Sequence, residues 1–97
     1  MIYKMYIMKI KEGFDLAAGE DVEVFNSLYK EHGVETVGEW VNSDDDREAY
    51  LITGYRDEDH YNSFIAAMKE NSSYIESSKR LGEMRESVKA VNLHSMR

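Results

Sequence analysis

The sequence predicts an α+β domain with the ferredoxin-like order β-α-β-β-α-β, in which two helices cover one face of a four-stranded antiparallel sheet. The first observation is that the period of the apolar residues alternates between the strand and the helix value along the chain. The second is the length of 97 residues, which fits a single domain over 1–97. The third is the balance of 42% hydrophobic and 32% charged residues, which is typical of a folded globular chain.

The first strand is predicted over Ile2–Ile10 (IYKMYIMKI), which is rich in aromatic and branched side chains. Both faces of this strand are apolar, so both should be covered. The even positions supply Ile2, Tyr6, Met8 and Ile10, and the odd positions supply Tyr3, Met5 and Ile7.

A connection with two glycines follows over 12–20, and a helix is predicted from about Asp21. Its apolar residues have the spacing of one helical face: Val22, Phe25, Leu28 and Tyr29. Gly33 should end the helix because glycine tolerates the left-handed backbone conformation.

Residues 34–42 and 47–56 form a predicted β-hairpin around the polar turn 43–46. No Asn-Gly or Asp-Gly pair fixes the turn type. Strict alternation places Glu35, Val37, Glu39 and Val41 on one face, and Val34, Thr36, Gly38 and Trp40 on the other.

Asp57 is a predicted N-cap for the second helix, whose apolar face comprises Tyr61, Phe64, Ile65 and Met68. The polar stretch 70–73 should weaken or interrupt this helix, with one or two further turns over 74–81 before Gly82. The final strand is predicted over Arg85–His94, with Val88 and Ala90 on one face and Val91 and Leu93 on the other.

Charge and composition exclude several classes of function. The 12 Lys and Arg against 19 Asp and Glu give a net charge of −7, which argues against nucleic-acid binding. No apolar stretch, 5–8 included, is long enough to span a bilayer, and the amino terminus has no signal-peptide pattern. The absence of cysteine removes disulfides and thiolate catalysis. We therefore expect a cytoplasmic protein with no nucleic-acid or membrane partner.

The apolar second face of the sheet predicts an assembly. Four strands about 4.8 Å apart give a face of roughly 400 Å² in projection. An apolar patch of that size usually marks an interaction surface, and a second copy covers it most simply because a two-fold interface is self-complementary. The sequence therefore predicts a homodimer.

Residues 29–61 carry a family resemblance. They read YKEHGVETVGEWVNSDDDREAYLITGYRDEDHY, with the matching features at 32–34 (HGV), 37–40 (VGEW) and 50–57 (YLITGYRD). This stretch resembles the central motif of NIPSNAP-like proteins of the dimeric α/β-barrel superfamily, which also contains the antibiotic-biosynthesis monooxygenases and haem-degrading monooxygenases. The resemblance implies that two facing sheets close a barrel at a dimer interface, with ligand pockets between sheet and helices. It supplies no agreed reaction.

The haem-degrading branch uses a set of Asn, Trp and His residues. Trp40 lies in the second strand and no histidine of this sequence matches that pattern, so the resemblance does not extend to haem degradation. The cofactor therefore stays unknown.

Two residues are candidates for catalysis. His60 follows the junction between the third strand and the second helix, and an imidazole with an ordinary pKa of about 6.5 suits a general base. Arg56 suits an anionic substrate, because a guanidinium pairs with a carboxylate through two hydrogen bonds. The alternatives are a solvated helix flank for His60 and a surface ion pair for Arg56.

Three aromatic residues are candidates for ligand binding: Trp40, Tyr6 and Tyr50. Trp40 shares a strand face with Gly38, and the two tyrosines are placed to present a hydroxyl inside a barrel. The alternative for all three is packing. Metal binding is not expected, because the three histidines are isolated in sequence.

Two hypotheses for the function stay open at this point. The first is a metal-independent, monooxygenase-like enzyme that acts on an apolar or aromatic small molecule. The second is a non-catalytic module that binds a small apolar molecule or haem, or supports a partner. A structural dimer with a packed interior is a third, simpler possibility.

Overall fold

Four strands and three helices are present in residues 1–14 and 20–96, which this computed structural model describes. Their order is β1 (Ile2–Ile10), α1 (Glu20–Glu31), β2 (Glu35–Asn42), β3 (Asp45–Tyr55), α2 (Glu58–Lys69), α3 (Ser72–Met84) and β4 (Arg85–His94). The predicted connection over 12–20 lies in part outside the described residues. No described helix has the length and apolar character needed to cross a membrane.

The strands form one antiparallel sheet in the order β2-β3-β1-β4. Central strand β1 pairs with β3 and β4, so that Met8 lies opposite Ala49 on one side and Val88 on the other. This is the predicted ferredoxin-like fold, and the predicted bounds of β1 and β4 are confirmed.

The helices pack on the face of the sheet that carries the even positions of β1, which we call the helix face. The core on this face consists of Leu28, Val34, Tyr55, Phe64 and Met68, with Ile2 packed against it. Full burial of a large apolar side chain stabilises the fold by about 1.5–3 kcal/mol, so this cluster fixes the helices on the sheet.

A β-bulge in β2 corrects the predicted alternation of that strand. The pairing with β3 passes from Thr36 opposite Thr53 to Gly38 opposite Ile52, which leaves Val37 as the extra residue. A bulge shifts the side-chain period by one position. Glu35 and Glu39 therefore lie on opposite faces, whereas the sequence predicted one shared face.

The helix ends follow the predicted caps with one exception. Gly33 has a φ of +68° after α1, and Asp57 accepts a hydrogen bond from the His60 backbone N–H at the start of α2. Asn71 caps α3 in the same way, which confirms the predicted interruption. Gly82 does not end α3, which continues to Met84, because one glycine costs only about 1 kcal/mol in a helix.

The opposite side of the sheet, which we call the open face, is also apolar. The strand register places on it Tyr3, Met5, Ile7, Tyr50, Ile52, Val91 and Leu93. Trp40 shares this face as the pair partner of Tyr50, and 51% of its surface is exposed. The two faces thus have similar residue types but different cover within the protomer.

Candidate functional site

An open cavity of about 1390 Å³ lies between the helices and the helix face of the sheet. The sheet contributes alternate residues of its two central strands, and the helices contribute aromatic rings. The walls include Tyr6, Met8, Leu51 and Tyr55 from the strands and Phe25, Tyr29, Phe64 and Tyr74 from the helices. Its aromatic walls suit a small organic molecule, and the open space between them argues against the packed interior of the third hypothesis.

Contacts between rings hold these walls in place. The ring centroid of Phe25 lies 5.6 Å from that of Tyr74 in an edge-on arrangement. The Phe64 ring lies 5.7 Å from Tyr29 and 5.9 Å from Tyr55, and so links α1, α2 and β3. Such aromatic pairs contribute about 0.5–1.5 kcal/mol each beyond their burial. The cavity is therefore lined by supported side chains.

The hydroxyls of Tyr6, Tyr29 and Tyr55 in the cavity remain protonated near neutral pH. Burial, and then the neighbouring tyrosines, raise the pKa of Tyr6 and of Tyr29 above the ordinary value. Burial also raises the pKa of Tyr55, whose hydroxyl accepts a hydrogen bond of 3.2 Å from Thr53 Oγ1. These groups can donate hydrogen bonds to a ligand, but they are poor bases.

Charged side chains lie at different places around the cavity. Glu39 of β2 lines it and contributes, after burial and the tyrosines, to the raised pKa of Tyr29. Arg47 of β3 and Arg85 of β4 line it beside the end of β1. The walls thus carry a negative charge on edge strand β2, level with Leu51, and two positive charges where β1 ends.

His60 is buried and both of its ring nitrogens are used. Nδ1 accepts a hydrogen bond of 3.0 Å from the Arg56 backbone N–H, so the proton is on Nε2, which lies 2.8 Å from the His32 carbonyl oxygen and donates to it. Its ring also meets the Tyr55 ring edge-on at 5.7 Å. This geometry connects the start of α2 to the turn after α1.

The predicted catalytic pair lies outside the cavity. His60 is only 8% exposed, so it is not on a solvated flank, and neither it nor Arg56 is among the lining residues. The Arg56 side chain is exposed and makes no ion pair within the described part of the chain. The catalytic roles of both residues stay predictions, and the contacts of His60 are those of a structural histidine.

The three predicted ligand-binding aromatics are divided between the two faces. Tyr6 projects from the helix face into the cavity. Trp40 and Tyr50 border the cavity with their strands, but the register places their side chains on the open face. Their binding roles stay predictions that concern two different surfaces.

Local contacts explain the open-face pair. A Cβ atom at Gly38 would lie 2.2 Å from Cη2 of Trp40, so the indole ring needs a glycine beside it. The Tyr50 hydroxyl donates to the Glu48 carboxylate and accepts from Asn42 Nδ2 at 3.2 Å. The bond to Glu48 raises the pKa of Tyr50 above its ordinary value.

Most of the cavity walls were not identified from the sequence. The missed residues are Phe25, Tyr29, Tyr55, Phe64 and Tyr74. Phe25 and Tyr29 are one helical turn apart, so they lie on the same face of α1. The sequence signal for an aromatic cavity was that this pair would face Tyr6 of the sheet. It was interpreted as core packing because spacing does not reveal how far a helix stands from the sheet.

Haem does not fit this donor set. Histidine, cysteine, methionine and tyrosine are the usual axial ligands of haem iron. Within the described residues no histidine lines the cavity, the chain has no cysteine, and the raised pKa values of Tyr6 and Tyr29 disfavour an iron-binding phenolate. Met8 by itself would be a weak ligand for haem iron.

No protein-family model matches the sequence, and no curated protein is significantly similar to it. Solved structures are similar over the whole chain. Protein Atu4242 of Agrobacterium tumefaciens has a TM-score of 0.84 with 18% identity, covering 100% of this chain and 95% of that one. A second structure of Atu4242, with a TM-score of 0.78, is described as a NIPSNAP family protein with unknown function.

Two further similar structures belong to the two groups that the sequence resembled, the NIPSNAP proteins and the antibiotic biosynthesis monooxygenases. An uncharacterized NIPSNAP domain protein from Burkholderia xenovorans has a TM-score of 0.70 and 16% identity, covering 98% of this chain and 94% of its own. A candidate antibiotic biosynthesis monooxygenase from Nitrosomonas europaea has a TM-score of 0.77 and 16% identity, with both chains fully covered. The predicted resemblance is confirmed at the level of the fold.

Proposed function

We propose that this protein binds a small apolar or aromatic molecule in the cavity between its helices and its sheet. The observation that carries the proposal is the cavity of about 1390 Å³, which is lined by supported aromatic rings instead of being closed by them. Pockets of this kind hold a ligand through apolar contact and orient it through a few hydrogen-bond donors. Tyr6 and Tyr29 are such donors.

We also propose that the protein is a homodimer whose protomers meet through their open faces. The supporting observation is the cluster of exposed and half-buried aromatic and aliphatic side chains around Ile52 and Trp40. Covering this cluster would contribute about 25 cal/mol for each Å² of apolar surface removed from water, and this gain is offset in part by the lost freedom of the two protomers. Trp40 and Tyr50 would then line the space between two sheets.

The binding site is tested with a neutral fluorescent probe, N-phenyl-2-naphthylamine. Ala49 lies on the helix face opposite Met8 and lines the cavity. Ala49→Trp should reduce the affinity for the probe at least tenfold, because the added indole ring would occupy space in the cavity that the probe needs. Ala90→Phe, opposite Tyr6, should act in the same direction from β4.

The matched control is Ser73→Trp, which adds the same ring at an exposed position of α3. It should leave probe affinity within about twofold, and circular dichroism should show that all variants are folded. Unchanged affinity in both cavity variants would contradict this location. Native mass spectrometry of protein from its natural host would show whether a ligand is already bound.

A metal-independent, monooxygenase-like reaction is the second candidate. It is supported by the similar fold of the candidate monooxygenase from Nitrosomonas europaea. The discriminating measurement is whether a bound aromatic ligand is chemically altered during incubation in air. If Arg56 or His60 is catalytic, Arg56→Gln or His60→Gln should abolish turnover while binding persists; unchanged turnover in both would remove them from the mechanism.

A further inference from the structure

Two arginines flank the end of the central strand at one end of the cavity. Arg47 Nη1 lies 3.5 Å from the Ile10 carbonyl oxygen, to which it donates, and Arg85 pairs with Ile10 from the other side. Both arginines line the cavity, whereas Ile10 is only 3% exposed. At the end of β1 the sheet thus places an arginine on each side of the apolar Ile10, at the border of the cavity.

The two arginines are poorly neutralised by the protein. Within the described residues, Arg47 has one ion pair, with Glu86 Oε2 at 3.9 Å, and the two side chains are 39% and 59% exposed. Pairs this long and exposed contribute little. Arg85 makes no ion pair in the same part of the chain, although Glu12 and Asp46 also line this end. Donors therefore remain available to a ligand.

The positive charge of the two arginines is opposite in sign to the net charge of the protein. The chain carries −7, which repels anions from most of its surface. Arginine presents a planar set of donors that matches a carboxylate or sulfonate through two hydrogen bonds. A neutral ligand without an acceptor group cannot use these hydrogen-bond donors, whereas an anionic group can.

The distance along the sheet gives the size of the ligand. Arg47 and Leu51 lie four residues apart on the helix face of β3, which is about 13 Å at 3.3 Å per residue. Leu51 lies opposite Tyr6, in the middle of the aromatic walls. A molecule that reaches from the arginines to Tyr6 therefore has the length of two or three fused rings or a medium acyl chain.

We propose that the cavity selects apolar molecules that carry one terminal anionic group, with Arg47 and Arg85 binding the anion and the aromatic walls binding the body. The inference rests on the proposed binding function and names its ligand class. Glu39, near Tyr29, lies toward the far end of such a ligand and disfavours a second anionic group there.

Two probes with one ring skeleton test the proposal. 6-Anilinonaphthalene-2-sulfonate is N-phenyl-2-naphthylamine with a sulfonate added at the end of the naphthalene remote from the anilino group, so the pair differs only in a terminal anionic group. The double variant Arg47→Gln/Arg85→Gln should lose at least about tenfold in affinity for the sulfonate, since it can no longer form charge-assisted hydrogen bonds to the anionic group. Its affinity for the neutral probe should stay within about twofold.

The charge control is Lys30→Gln/Lys79→Gln, which removes the same charge from exposed positions of α1 and α3 outside the cavity lining. It should change the affinity for either probe by less than about twofold. An equal loss of sulfonate binding in this control, or an equal loss of both probes in the arginine variant, would overturn the proposal.

The two proposals fail in different ways. If the neutral probe does not bind the unmodified protein in the cavity, the proposed function is contradicted. If the neutral probe binds there and the sulfonate binds equally to the unmodified protein and the arginine variant, only the anion site is contradicted.

Discussion

The helix face and the open face of the sheet are built from similar side chains, yet they differ in what covers them. On the helix face Thr53 and Tyr55 are 0% and 1% exposed. On the open face Trp40 is 51% exposed, and Ile52 lies between Met5 and Gly38 with no described helix packed over it. Apolar composition therefore shows that a face needs cover, but not whether a helix or a second molecule supplies it.

The difference also separates two kinds of possible site. The helix face contains an aromatic cavity inside one protomer, whereas the open face presents Trp40 and Tyr50 to whatever covers it. Variants that act on one face and leave the other unchanged would show whether this separation holds.

The largest effect is expected from the core of the helix face. Phe64 is 3% exposed and contacts both α1 and β3, so Phe64→Ala should lower the free energy of unfolding by about 3–5 kcal/mol. Urea denaturation measures it. Ile75→Ala, at a side chain that is 50% exposed, should change it by no more than about 0.5 kcal/mol. Equal effects of the two substitutions would remove the distinction between core and surface.

On the open face, a charge should break the proposed dimer without unfolding the protomer. Ile52→Glu would place carboxylates against an apolar partner surface and weaken association at least about 100-fold, which corresponds to about 2.7 kcal/mol. Sedimentation at several concentrations measures it, and Ile75→Glu on α3 is the control. If the unmodified protein is a monomer at micromolar concentration, the dimer proposal is wrong.

The junction at the edge of the core should show an intermediate effect. His60→Ala leaves the Arg56 N–H and the His32 carbonyl without their partner, and one unsatisfied buried group costs about 1–3 kcal/mol. His94→Ala, at an exposed position of β4, should cost less than about 0.5 kcal/mol. Chemical denaturation compares them. A loss of probe binding in stably folded His60→Ala would show that its role extends to the cavity.

The smallest effect concerns the outer side of the helix layer. Arg80 donates hydrogen bonds to Asp21, and this holds the pKa of Asp21 below its ordinary value of 3.8, with a further bond from Ser77. A lowered carboxyl pKa stabilises the fold above the unfolded value and loses that contribution as pH falls through the folded value. Asp21→Asn should therefore lower the melting temperature slightly at pH 7.

That difference should shrink below about pH 4, where Asp21 becomes protonated in the unfolded and then in the folded protein. Asp44→Asn, in the hairpin turn, is the control for a lost surface carboxylate. A difference between Asp21→Asn and the unmodified protein that grows as the pH falls would contradict the assigned sign.

Several elements were predictable because their signals are local. The bounds of β1 and β4, the Asp57 cap and the turn at Gly33 depend on neighbouring residues and on backbone conformation alone. The bulge at Val37 was not predictable, because it arises from pairing with β3. It reversed the predicted relation between Glu35 and Glu39.

The candidate site was predictable only in part. Tyr6 and Tyr50 were both predicted to present a hydroxyl inside a barrel, but they lie on opposite faces of the sheet: Tyr6 points into the cavity on the helix face, and Tyr50 lies with Trp40 on the open face. His60 was noticed as a polar residue at a junction, yet its two bonds to backbone groups 4 and 28 residues away were invisible in the sequence. The roles predicted for these residues stay open to the experiments above.

By itself the sequence determined the order of the elements and the need to cover two apolar faces, because these follow from the period of the side chains along each segment. Tertiary structure alone decided that a bulge at Val37 shifts β2, that the aromatic rings of three helices leave a cavity above β1, and that Arg47 and Arg85 both line the end of that cavity. Such features depend on distances between segments far apart in the chain, and no local pattern encodes those distances.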